Sequence, residues 1–319
     1  MSLELTINFR DRAAMLANAR QFFADRNVLE VDCPALSAYP TIDSNIDVIP
    51  AYVTPSEIGY LHTSPEYAMK QLLTAGLGDI YYLGHVFRQG EIGRLHNPEF
   101  TMAEWYRVGF SFEQMIQETC DFIALFLCPQ PVRHLSYRKA FETYVGVDYT
   151  RAPIADLLAA ARRFPLSPDA DQWSRTALVH FLLTHAIEPQ LGQHELTVLL
   201  DYPPQEAALA CVIEKDSERV AERFEVYSQG VELSNGYHEL ADGDEVRRRF
   251  QEENVLRAQA GKPAYPLDEA FLSALGPQFP DCCGVSVGVD RLLLLRHKAK
   301  TLSQIMIPTS GRWGCSSPC

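Results

Sequence analysis

The densest chemistry in the sequence is the segment HVFRQGEIGRLHNPEFTMAEWYR, His85 to Arg107. Residues before and after its polar centre alternate in strand fashion, which predicts a long-looped antiparallel hairpin with Arg88, Glu104 and Tyr106 on one sheet surface. A guanidinium grips carboxylate or phosphate oxygens in a fixed fork, and a carboxylate takes an ammonium. Together they suit a zwitterionic ligand beside a phosphate; a surface salt-bridge network is the plainer alternative. A second segment, FEVYSQGVELSNGYHEL from Phe224, spaces Glu225, Glu232 and Glu239 among Tyr227, Val231, Leu233 and Tyr237. Buried carboxylates are costly unless paired, so the set reads either as a Mg²⁺–triphosphate and ammonium site or as scattered surface glutamates. A third segment, GVSVGVDRLLLL from Gly284, is a glycine-rich strand running into an apolar helix, with Arg291 in the helix's first turn and Gly288 leaving the backbone open to a ligand. It is neither a Walker loop nor a dinucleotide fingerprint.

The elements that must carry these residues are set by periodicity. Residues 10–26 read as a helix, VLEVDCPALS as a short extended piece, SNIDVIPAYVTPSEIG as hairpin or loop, and TSPEYAMKQLLTAGLG as a capped helix. Ser111 with Gln114 forms a capping box at the head of another helix. PIADLLAAARRF and TALVHFLLTHAI are helical, and YSQG supplies a turn between two strands. DEVRRRFQEENVLRAQAGK is an amphipathic helix closed by Gly261, its arginines read as a solvated face. With no repeat and no long linker, the expectation is a single α+β domain on an antiparallel sheet flanked by helices, residues 1–308, and then a loose tail, 309–319.

Bulk properties limit the function classes. The chain has 319 residues, is 47% hydrophobic and 22% charged, and carries a formal net charge of −13; an extended nucleic-acid surface would more often be basic. The eight cysteines contain no CxxC pair, and His180, His185 and His194 have no ligand spacing. No signal peptide and no apolar run of membrane-spanning length is present, so a reduced, cytoplasmic protein is expected.

In this order the three chemical segments resemble motifs two and three of class II aminoacyl-tRNA synthetases, in their lysyl branch. The resemblance runs from FFADRNVLEVDCPAL, similar to motif one with Pro34 included, to TLSQIM, and is carried most specifically by RLHNPEFTMAEWY, GVELSNGYHEL and GVDR. Motif one begins near residue 20, leaving no room for an anticodon-binding domain. That, with LHTSPEYAMK and ELSNGYHEL, points to the stand-alone elongation factor P lysyltransferases. The resemblance implies ATP and Mg²⁺, (R)-beta-lysine or lysine as substrate, elongation factor P as acceptor, a homodimer, and no tRNA or membrane partner. It also implies residue roles. Arg88 would hold the substrate carboxylate and α-phosphate, Arg291 the γ-phosphate, and Phe100 the adenine. His96 and Asn97 would order the loop near the nucleotide, with Gly90, Glu91, Leu233 and Gly288 also lining that site. Glu225 and Glu232 would bind Mg²⁺. Ser64, Pro65, Glu66 and Glu104 would face the amine region, and Tyr106, Asn235, Tyr237, Glu239 and Ser286 would shape the side-chain pocket.

Two departures stand out. The family usually has FRNE where this chain has FRQG, so Gly90 replaces the carboxylate that contacts the adenine amine; Glu91 or a backbone carbonyl would have to substitute. Ser286 stands where lysyl-tRNA synthetases tend to have glycine and the elongation factor P enzymes alanine, and as a non-glycine it sides with the latter. The rival readings are a tRNA-charging lysyl enzyme, a non-catalytic class II paralogue acting as a binding module, and a class II enzyme making small amides such as asparagine, opposed by the pocket around Glu239.

Overall fold

A computed structural model describes residues 3–306. The expected tail, 309–319, with Cys315 and Cys319, lies outside the described residues. The chain folds as two compact units, where the sequence offers no linker to divide it. One is built from Met1–Cys128 and Glu239–Cys319, the other from the continuous stretch Pro129–His238.

In the first unit, the strands Ile80–Phe87 and Glu99–Val108 pair antiparallel, with Tyr82 opposite Glu104 and Ile80 opposite Tyr106. Cys282–Gly288 lies antiparallel on the far side of Glu99–Val108, Ser286 opposite Glu104. The short strand Leu29–Glu30 runs parallel to Ile80–Phe87 at the other edge, so the sheet is mixed rather than wholly antiparallel. Because successive side chains alternate, the two faces of this sheet have different fates. One carries Tyr81 and Trp105 into an aromatic core: Phe23 of the first helix, Leu3–Ala24, stacks on Tyr81 at 4.1 Å, and Phe122 of the helix Phe112–Leu127 lies 5.1 Å from Trp105. Fully burying such a ring contributes roughly 2–3 kcal/mol, and the core fixes the sheet as a platform. The opposite face presents Tyr82, Glu104 and Tyr106.

Local signals set the helices. Ser111 accepts from the Gln114 backbone N–H while the Gln114 side chain accepts from Ser111 N, the capping box anticipated from the sequence. SNIDVIPAYVTPSEIG forms the hairpin Ile49–Thr54 and Glu57–Leu61, to which Leu36–Ser37 adds a third strand. The helix Gly243–Gln259 departs from the solvated-face reading at one residue. Arg248 and Arg249 pair with Glu245 at the surface, but Arg257 is buried, donating to the carbonyls of Pro263 and Asp43 and to the Asp47 carboxylate. Val246, Phe250 and Arg257 lie on one helical stripe, and a buried guanidinium is tolerated there because carbonyls and a carboxylate receive it.

The second unit is built on strands and helices of the continuous stretch. Val132–Ser136 runs parallel to Leu196–Tyr202, and Leu196–Tyr202, Glu218–Ser228 and Val231–His238 continue the pairing antiparallel, with Val212–Lys215 also on Glu218–Ser228. The turn in YSQG is made by Gln229 and Gly230, both with positive φ, as a two-residue hairpin turn requires. The helices Ile154–Ala161 and Arg175–Leu182 bury Leu157, Leu178 and Leu182 against Leu199, Tyr202 and Tyr227. Two helical stretches end in wide π-type turns, Phe141–Val145 and Leu183–Ile187.

Candidate active site

The face of the first unit's sheet turned away from the aromatic core carries a cluster of buried polar side chains. Glu104, 3% exposed, receives hydroxyl hydrogen bonds from Ser64 (2.7 Å) and Tyr106 (2.8 Å). Pro65 starts the helix Glu66–Thr74, and Ser64 Oγ accepts from Glu66 N, so the SPE segment folds as the helix's cap and points Glu66 inward. Lys70, one turn on, is fully buried and lies 2.7 Å from Glu66 and 2.6 Å from Glu239. Burial alone would lower its ammonium pKa; the Glu239 and Glu66 carboxylates outweigh this and hold it above the ordinary value. For Glu104, burial and then the Glu66 charge push the carboxyl up to about 8, against the pull of the two hydroxyls. Gly284 forms the back wall. A Cβ there would stand 2.4 Å from both a Glu239 oxygen and the Tyr106 ring, so only glycine lets these two side chains approach the strand.

The nucleotide-side residues gather where the hairpin ends. Arg88 N donates to Pro98 O, closing the hairpin beyond the Phe87–Glu99 pair, and the Arg88 guanidinium lies over the Phe100 ring at 5.1 Å. Its Nε is buried and has no hydrogen-bond partner among the described residues, and its nearest carboxylate, Glu91, is 3.6 Å away. A buried guanidinium N–H left without an acceptor suits an incoming anion. Arg291 donates to His96 Nε2 at 2.9 Å, and His96 in turn stands 3.7 Å from Glu91. Burial, then the Arg291 charge, lowers the His96 pKa, leaving a neutral ring able to accept. Asn97 donates to Glu99 O and pins the returning strand. Gly90 has φ +77° with open space around its absent Cβ, so backbone conformation, not crowding, favours glycine where the family's carboxylate usually stands. The loop's base is tied down by Gln89 N donating to Asp47 O, the same Asp47 that Arg257 and Lys262 hold.

Arg291 is positioned by its neighbour. Asp290 is 2% exposed; one oxygen accepts from Thr101 N at 2.6 Å, and the other pairs with Arg12, which also donates to Thr101 Oγ1. This clamps the head of the helix Val289–Arg296 to the strand Glu99–Val108. Gly288 caps that helix, and a Cβ there would meet only Arg291 methylenes at ordinary contact distance. Asp290→Ala leaves Arg12 without its carboxylate and is expected to cost roughly 3 kcal/mol, read as a lower denaturant midpoint at unchanged slope; a midpoint equal to wild type would show that the clamp holds nothing.

In the second unit, Tyr227 lies opposite Glu232 across the hairpin and donates to Glu225 at 2.6 Å, placing both carboxylates beside one ring. Glu225 is buried and ion-paired with Arg223 at 2.6 Å, as a desolvated carboxylate requires. Arg223 also donates to Asn235 Oδ1, and Asn235 donates to the Tyr237 hydroxyl, so one arginine organises three of the expected residues. Leu233 is buried. Among the described residues, no group of three or more His, Cys, Asp or Glu side chains could hold a metal ion alone. Two carboxylates still fit Mg²⁺, which draws most of its ligands from phosphates and water. His185 stacks on Phe181 and bonds its carbonyl. A cavity of about 550 Å³ in this unit, lined by Arg138, Arg175, Asp201 and Glu206 among others, contains none of the expected site residues.

Residues 1–307 match the family of class II tRNA synthetases (D, K and N). The chain is 42% identical over 300 residues to the elongation factor P–(R)-beta-lysine ligase of Haemophilus ducreyi, covering 92% of this chain and 91% of that protein. It is 42% identical to the same enzyme of Yersinia enterocolitica (96% and 95% covered) and 41% identical to that of Pasteurella multocida (94% of each). The chain belongs to this class II family. Its mixed sheet flanked by helices is the class II catalytic architecture. No helix among the described residues is long and apolar enough to cross a membrane. Burial pushes the Cys33 and Cys120 thiols up to about 12, which removes them as nucleophiles.

Sequence reasoning missed Lys70, Asp290 with Arg12, Gly284 and Arg223. Lys70 had a signal: with Met69 and Leu73 it lies on the buried stripe of its helix, four residues after Glu66. A lysine on an apolar stripe needs a carboxylate. Asp290 stood in GVDR as the neighbour of the arginine the motif emphasises, and its partners are distant in sequence.

Proposed function

We propose that this protein activates (R)-beta-lysine, or lysine, with ATP to an aminoacyl-adenylate and transfers the acyl group to a lysine side chain of elongation factor P. The observation that carries this is the charge layout of one sheet face. Arg88, with its unmet Nε, stands at one end, and Glu66, Glu104 and Glu239 surround a pocket at the other. Arg88 and Glu104 are about 20 Å apart along the strands at the usual rise per residue, a span that a long arginine and an extended diamino acid cover between them. The names of the relatives support the same substrate and acceptor.

In the first half-reaction a substrate carboxylate oxygen attacks the α-phosphorus and pyrophosphate leaves. Arg88 binds the carboxylate and the α-phosphate, aligning them and stabilising the charge that builds up between them. Arg291 takes the γ-phosphate, and Phe100 supports the adenine, with His96, Asn97, Gly90, Glu91 and the backbone of Leu233 and Gly288 around the nucleotide. Glu232, with Glu225 where Arg223 shares it, would hold Mg²⁺, which when bound neutralises phosphate charge. Glu66, Glu104 and Glu239 receive the substrate's ammonium groups, with Ser64, Pro65, Tyr106, Asn235, Tyr237 and Ser286 shaping the pocket. In the second half-reaction the acceptor lysine's neutral amine attacks the adenylate carbonyl, the bond to AMP breaks, and the nitrogen's extra proton passes to solvent. A cytoplasmic homodimer is the form we assign.

Pyrophosphate exchange compared between (R)-beta-lysine and alpha-lysine, and then transfer of labelled amino acid to elongation factor P and to tRNA, tests the proposal. Exchange with a lysine-type substrate and label on the protein are expected. Label on tRNA alone would overturn the acceptor.

A further inference from the structure

The pocket holds three carboxylates and one cation. Lys70 is engaged by two of them, 2.7 Å from Glu66 and 2.6 Å from Glu239. Glu104 is left with hydroxyl partners only; no ion pair reaches it among the described residues. Among the described residues, the groups around it offer no second positive charge. The helix Glu66–Thr74 contributes Glu66 and Lys70, and the strand Ile80–Phe87 contributes Tyr82, opposite Glu104. Cys33 and Asp32 approach from the segment after the first short strand, and Tyr106 and Ser286 flank Glu104 within the sheet. Glu239 completes the ring. An ionised Glu104 would be a third negative charge, beside the buried Glu239 and the half-buried Glu66, with a single ammonium among them.

We propose that the free enzyme carries a proton on Glu104 and that a substrate ammonium binds by displacing it. The inference rests on reading the pocket as a diamino-acid site. The O–H bond of Glu104 breaks, the proton passes to solvent, and the ammonium donates to the carboxylate left behind. Ser64 Oγ can accept from the protonated carboxyl and Ser64 can donate to the ionised one, since a hydroxyl does either, so both states are satisfied without rebuilding the pocket. The raised Glu104 value of about 8, caused first by burial and then by Glu66, agrees with a proton held at neutral pH. Lys70 is the fixed counter-ion of Glu66 and Glu239, which makes it a positioning residue for specificity. A substrate lacking the ammonium has no means of replacing the proton.

The test is calorimetric titration of the full chain with (R)-beta-lysine, without ATP, at pH 7 in phosphate and in Tris, whose ionisation heats differ. We expect about one proton released per substrate bound, and a Kd that falls about tenfold per pH unit from 6 to 7 and levels above 8. Glu104→Gln is expected to lose both the release and the slope. Binding with no proton release and a flat Kd would overturn the inference and leave the substrate reading standing. Absence of binding by any diamino acid would overturn both. A second measurement needs no substrate: the infrared difference between wild type and Glu104→Gln at pH 7 should contain a protonated carboxyl band that disappears above pH 9. Its absence at pH 7 would overturn the proposal.

Discussion

Arg88→Ala is expected to lower pyrophosphate exchange by about three orders of magnitude, in line with the removal of a guanidinium that stabilises charge at a reacting phosphate. The fold should survive, because Arg88 holds no described group together: its Nε is unmet, its nearest carboxylate is 3.6 Å away, and its stacking partner Phe100 stays anchored in the strand. Melting temperature within a few degrees of wild type, measured beside exchange, separates loss of chemistry from loss of structure. Arg88→Lys keeps the charge and loses the fork, so its rate should fall between the two. Exchange within tenfold of wild type in the alanine variant would remove Arg88 from the reaction.

The second large effect is expected at a residue with no functional group. In Gly284→Ala the new methyl stands 2.4 Å from a Glu239 oxygen and from the Tyr106 ring. Neither can retreat cheaply. Glu239 is held by Lys70 at 2.6 Å, and the Tyr106 hydroxyl is bonded to Glu104. The KM for the amino acid is therefore expected to rise on the order of a hundredfold, about 2.7 kcal/mol of lost binding, while the KM for ATP hardly moves. Equal rises in both would mean that the strand itself had shifted and that the clash is not confined to the pocket.

These two residues mark what the sequence could and could not disclose. Alternation through DIYYLGHVFR and FTMAEWYR is enough to place Arg88, Glu104 and Tyr106 on one face, because side-chain direction in a strand is a local property. The capping box at Ser111 and the turn at Gln229–Gly230 are legible for the same reason. Gly284 is not, since its constraint comes from Tyr106 and Glu239, distant in sequence and joined only through strand pairing. Arg257 escapes a surface reading because charge alternation describes a helix's exterior, and its burial is decided by Asp43 and Asp47, more than 200 residues earlier. The ion pair of Glu225 with Arg223 is not legible either, because spacing alone does not show the arginine turning back on it. The π-type turns after Ala140 and Leu182 have no sequence signature that periodicity can detect.

The first unit is discontinuous in the chain, and this bears on how the protein is made. Residues 129–238 leave the ribosome as one uninterrupted stretch that forms a compact unit, and a unit continuous in the chain can begin to fold before later residues emerge. The first unit's sheet lacks Cys282–Gly288 until nearly all of the chain has been synthesised, and that strand pairs with one some 180 positions earlier. The acidic pocket inherits this order. Lys70 meets Glu239, and Tyr106 meets Gly284, only at the end. A nascent chain halted before residue 239 holds Lys70 without one of its two counter-ions, so the acidic cluster is completed late in biogenesis.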